Sequence, residues 1–127
     1  MRQSLRNCLA LSLGLLLASG TVLAKPSNKW RLEFSGAAES SGEIVLRVQP
    51  VGGEPVDVTV AIEANDGENR VAGKVRDALK AALKADYRID RDDGEDVLVK
   101  RRWGRPLFEV SLASSTVKDV RINFDRE

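Results

Sequence analysis

The 127-residue chain has no histidine and one cysteine, Cys8. Without histidine, every catalytic dyad or triad that uses imidazole as its base is excluded. One thiol forms neither an intrachain disulfide framework nor a zinc site of the usual Cys/His kind. The sequence also lacks a Gly-rich phosphate loop, and its formal charge is only +1. That balance supplies no global field to draw in nucleic acid or an acidic membrane. Long apolar runs are missing too, since the one near the N-terminus falls short of the about 20 residues that a membrane span needs.

What is present at the N-terminus is the order of features of an export signal. Arg2 and Arg6 stand in a segment without acidic residues, the apolar run Cys8 to Ala18 follows, and Ser19-Gly-Thr-Val-Leu-Ala24 turns small and polar. Val22 and Ala24 occupy the positions where a signal peptidase accepts small side chains, so cleavage is expected before Lys25. Cys8 stands at the start of the apolar run rather than at the cleavage point and is therefore misplaced for lipid attachment. Removal of residues 1–24 takes away the cysteine, Arg2 and Arg6, and leaves 103 residues with 18 basic and 19 acidic side chains. The expectation is a periplasmic or secreted protein made of one domain over residues 30–127, after a polar leader at 25–29, with a core large enough to fold by packing alone.

Hydrophobic periodicity then divides the chain. Trp30-Arg-Leu-Glu-Phe34 alternates with a period of two, as do Glu43 to Gln49 and Val56 to Ile62, which predicts three strands. The Gly-Gly and Pro punctuation of residues 50–55 predicts that the second and third pair as an antiparallel hairpin. From Asn69 to about residue 85 the period becomes 3.6, with Val71, Val75, Ala78, Leu79, Ala82 and Leu83 on one face. This is an amphipathic helix, for which Asp66 or Asn69 is a candidate cap and Asp77 a partner for Lys80 or Lys84. Its other face is basic, with Arg70, Lys74, Arg76, Lys80 and Lys84. Solvation accounts for such a face, and the small Val and Ala side chains opposite suit a sheet better than a bilayer. Four more strands are expected: Tyr87 to Arg91, Asp96 to Arg102, Pro106 to Leu112 and Val117 to Phe124. Asp93-Gly94 marks one turn and Ser114-Ser-Thr another. The sum is an α+β fold, a mostly antiparallel sheet of six to seven short strands with one helix packed on one face.

The run from Gly42 to about Lys100, a hairpin, an Asn-Asp-Gly loop, an Ala-rich helix and a second hairpin, resembles a module repeated in phage tail and other virion structural proteins and in some bacterial surface proteins. That resemblance implies the topology; in those proteins the module serves as an assembly or decoration unit.

Two clusters carry chemistry. Asp90, Asp92, Asp93, Glu95 and Asp96 crowd one hairpin tip, and oxygen-rich loops attract calcium. The EF-hand spacing is not met, because Gly94 falls fifth from Asp90, and a solvated turn explains the same residues. Lys100, Arg101, Arg102, Trp103 and Arg105 form the second cluster, four cations around one aromatic where a strand runs out into a Gly and Pro loop. Arginine forks take carboxylates or phosphates in pairs, and Trp offers a flat contact face. The bland alternative pairs these arginines with the acidic turn and sets Trp103 against the core edge. Trp30 shares the alternation of Leu32 and Phe34 and is expected in the core. A carboxylate-based hydrolase needs only two acids about 5–9 Å apart, but nothing in this chain implies a cleft, a cofactor or a catalytic residue. The reading is a binding or inhibitory module without enzymatic activity. Its expected partner is an anionic envelope component or another protein, and the alternative is a structural subunit that self-associates into homo-oligomers through its sheet edges.

Overall fold

The structure, a computed structural model, describes residues 25–127, so the export signal expected over residues 1–24 lies outside the described residues. The order of elements is β1 (Lys29–Ser35), β2 (Gly42–Pro50), β3 (Val56–Ile62), α1 (Glu68–Leu83), β4 (Tyr87–Asp92), β5 (Asp96–Arg101), β6 (Phe108–Ser115) and β7 (Arg121–Arg126). The two hairpins flanking a helix are therefore present, as β2–β3 and β4–β5 around α1. The strands do not share one sheet, however. They form a four-stranded sheet ordered β4-β5-β1-β7 and a three-stranded sheet ordered β3-β2-β6. The split arises because β1 passes over its sequence neighbour β2 and pairs with β5 and β7, while β2 takes β3 and β6.

Strand alternation gives each sheet one apolar face, and the two faces meet. Trp30, Leu32 and Phe34 of β1 share a continuous buried cluster with Ile44, Leu46 and Val48 of β2. Full burial of each such side chain contributes about 1.5–3 kcal/mol. Trp30 is 4% exposed, and its indole Nε1 donates to the Phe108 carbonyl at 2.8 Å, which satisfies the polar atom that burial would otherwise strand. The polar leader is part of the fold as well. Ser27 exchanges backbone hydrogen bonds with Phe108 at 2.8 and 2.9 Å and is buried.

Helix α1 buries Val71, Ala72, Val75, Leu79 and Leu83 and packs against β3, β4, β1 and β5. Since β3 and β4 are the edges of different sheets, α1 closes one side of the sandwich rather than covering the face of a single sheet. Its N-cap is Gly67, with no side-chain bond, so neither Asp66 nor Asn69 caps it. Asp66 turns back instead, accepting from the Glu63 backbone N at 3.0 Å and from Lys74 Nζ. Asp77 pairs with its neighbour Arg76 at 2.9 Å and leaves Lys80 and Lys84 unengaged by it. The Asp93-Gly94 turn forms as expected, with φ of 49° and 78°, and Arg91 clasps it to the helix through the Gly94 and Asn69 carbonyls at 2.6 and 2.8 Å. The last turn lies later than expected. Ser114 and Ser115 extend β6 beyond a register shift opposite Val45 and Leu46, and β7 begins at Arg121.

Candidate binding site

The β5–β6 connection carries the Arg/Trp cluster, and its backbone explains the display of Trp103. The Arg105 backbone N donates to the Arg102 carbonyl at 3.1 Å, and Gly104 has φ +81°. This is a β-turn in which the third residue adopts the left-handed conformation that glycine accepts without strain. Trp103 sits on the crest, 99% exposed. The alternative that placed it against the core edge is therefore overturned.

The arginines fix the base of this turn. Arg102 Nε donates to the Lys84 carbonyl at the end of α1 (3.1 Å), and Arg101 Nη1 donates to the Arg105 carbonyl (2.7 Å). Arg105 Nε pairs with Asp86 at 3.1 Å, not with the acidic hairpin tip. Asp86 is the neighbour of Tyr87, whose hydroxyl burial and the Asp86 charge push to a higher pKa. Lys100 is separated from the cluster. Alternation along β5 turns it to the outer face of the four-stranded sheet, at register positions opposite Lys29 and Arg88.

Two features of the neighbourhood escape a reading by sequence distance. The β2–β3 turn comes alongside, because Val51 N donates to the Leu107 carbonyl at 2.8 Å. Val51 and Leu107 are 47% and 38% exposed and form an apolar shoulder to the crest. On the other flank, the seam between α1 and β4 holds a depression of about 250 Å³ lined by Lys80, Lys84, Arg88 and Arg102, with Tyr87, Ile89 and Asp90. The signal that hints at this seam is the short connection Lys84-Ala-Asp-Tyr-Arg88, which returns the chain antiparallel to the helix.

Three acids of the hairpin tip are engaged by arginines. Asp92 and Asp96 both accept from Arg31 Nη1, at 3.0 and 2.8 Å, and Asp90 pairs with Arg88 at 3.3 Å. Among the described residues no three carboxylates come together as a metal-binding group. Arg31 also holds Glu127 at 2.8 Å. Its guanidinium is driven further toward the charged form by Glu127, Asp96 and Asp92, and Arg31 with Lys29 holds the Glu127 carboxyl below the usual range. Two carboxyls move the other way. Glu33 on the outer face of the four-stranded sheet is raised by Asp125, and Glu39 in the exposed β1–β2 loop is raised by Asp119. Each is one member of an acid pair on the open surface rather than a carboxylate set in a cleft.

No family model matches the chain, and no curated protein is found to be similar to it.

Proposed function

We propose that this protein is an exported, non-enzymatic binding module that contacts an anionic component of the cell envelope through the Arg101–Arg105 turn. The observation that supports this reading is the near-complete exposure of Trp103 on a turn anchored by arginines. A large indole left in water is unfavourable for a solitary fold, and Trp and Arg are the side chains most enriched at the energetic centres of interfaces. Anchoring the turn in advance lowers the ordering cost on binding. No helix among the described residues is long and apolar enough to cross a membrane.

The test is recovery of envelope fractions on the immobilised protein, beside a variant carrying R101A, R102A, W103A and R105A. Loss of a recovered fraction in the variant supports the reading; equal recovery overturns it. The alternative, a self-associating structural subunit, draws support from β6, an edge strand with Leu112 45% exposed. It requires concentration-dependent oligomers that persist in the fourfold variant, measured by analytical ultracentrifugation. The register shift opposite Val45 and Leu46 disfavours edge pairing, because bulges break the regular ladder that an added strand would extend.

A further inference from the structure

The depression between the last turn of α1 and β4 has a charge imbalance that the rest of the fold leaves standing. Four cations line it, Lys80, Lys84, Arg88 and Arg102, against one carboxylate, Asp90. Asp90 pairs with Arg88. Two acids close in sequence to the lining residues are engaged elsewhere, Asp77 by Arg76 and Asp86 by Arg105. Arg102 uses Nε to hold the Lys84 carbonyl, which fixes the guanidinium plane at the rim. At about 250 Å³ the space far exceeds the roughly 10–15 Å³ that admits one water. Arg102 is followed directly by Trp103, which stands exposed on the turn that Arg102 anchors to the end of α1.

We propose that this depression seats a phosphomonoester group, and that Trp103 contacts the apolar part of the same amphiphile, a lipid with an anionic phosphate headgroup. This inference rests on the reading of the Arg101–Arg105 turn as a contact surface, and it adds a ligand class and a second element to it. A doubly charged tetrahedral anion matches converging ammonium and guanidinium donors better than an isolated carboxylate does. Indole is the side chain that settles at the boundary between headgroups and acyl chains, and each Lys or Arg near an anionic leaflet adds to the attraction.

The experiment uses the protein recovered from the cells that express it, with tryptophan emission as the signal. Trp30 is already buried, so a blue shift on adding vesicles reports Trp103, and W103F removes it. Three lipid surfaces are compared: phosphatidylcholine alone, phosphatidylcholine with phosphatidylserine, and phosphatidylcholine with phosphatidic acid, the one that offers a phosphomonoester. The expected result is binding to phosphatidic acid in preference to the other two, weakened on the order of 100-fold by K80Q/K84Q/R88Q. These three substitutions are at the surface, and far-UV circular dichroism checks that the fold is retained. Equal binding to phosphatidylserine and phosphatidic acid overturns the seat in favour of adsorption by charge alone. Full binding by K80Q/K84Q/R88Q, with loss only in R101A/W103A/R105A, overturns the seat while leaving the turn as the contact surface. Inorganic phosphate is the remaining arm. If no vesicle binds but phosphate perturbs the backbone amide resonances of residues 80–88 in the parent and not in K80Q/K84Q/R88Q, the lipid is overturned and the seat stands with a soluble phosphomonoester as its ligand. If neither vesicle nor phosphate acts, the proposal fails.

Discussion

Two regions of this molecule are rich in charge, and they differ in how the charge is used. On the outer face of the four-stranded sheet, Arg31 stands among Asp92, Asp96 and Glu127 within 2.8–3.0 Å. Lys29 reaches Glu127 at 3.4 Å, so carboxylates from β4, β5 and the C-terminus are gathered by cations of β1. Along the seam of α1 and β4 and in the turn after β5, cations outnumber acids, and the largest exposed apolar side chain stands beside them. The contrast teaches that charge density alone does not mark a functional surface. A network whose members satisfy each other stabilises the fold, whereas an unbalanced set beside a bare aromatic is where a partner has something to add.

The two tryptophans give the sharpest form of that comparison. Truncating the core around Trp30 has the largest expected effect: Phe108→Ala removes a fully buried ring packed at 4.8 Å against Tyr87 and costs about 3–5 kcal/mol, measured by urea unfolding. Next comes Arg31→Met, which leaves three carboxylates without their shared donor and costs about 1–3 kcal/mol. If it is neutral, the outer-face network is ornament and the comparison fails. A pH titration, with a smaller expected effect, tests Glu127 of that network and the separate pair of Asp66, before α1, with Lys74. Asp66 is held below the usual range by Lys74, and Glu127 by Arg31. A carboxyl whose folded-state pKa is depressed stabilises above its unfolded value and loses that contribution as the pH falls through the folded one. Stability should therefore decline as the pH falls below about 4, and Asp66→Asn should flatten part of the decline. The smallest effect belongs to Trp103→Ala, expected to change stability by no more than about 0.5 kcal/mol while removing vesicle or envelope binding. A large loss of stability there would mean that the indole packs in solution, and the distinction between the regions would disappear.

Local structure was largely legible. Alternation located β1, β2 and β3, and Val56–Ile62 matches to the residue. The change to a 3.6 period found α1 within two residues at its C-terminal end, because a buried stripe on a helix leaves its spacing in the sequence. The end of β6 departs from the sequence expectation for a physical reason. Ser114 and Ser115 carry turn propensity, yet β2 supplies partners across the register shift and holds them extended, so tertiary pairing overrode a local preference. The helix N-terminus departs similarly, since Asp66 has the chemistry of a cap but is drawn to Lys74 and the Glu63 amide. In the candidate site, Arg101, Arg102, Trp103 and Arg105 were visible as a contiguous run. Lys100 adjoins them in sequence but not in space, because a strand sends adjacent residues to opposite faces.

The sequence by itself determined which segments extend, which one coils and which faces are apolar, because these depend on side chains two to four positions apart. Tertiary structure alone decided that β1 would pair with β5 and β7 and so divide the strands into two sheets. It also set Lys80, Lys84 and Arg88 beside Arg102, and assigned the acidic tip to Arg31 rather than to the arginine turn. Those outcomes depend on which of several chemically adequate partners lies near once the core has closed, and that proximity is a property of the packed chain, not of any window along it.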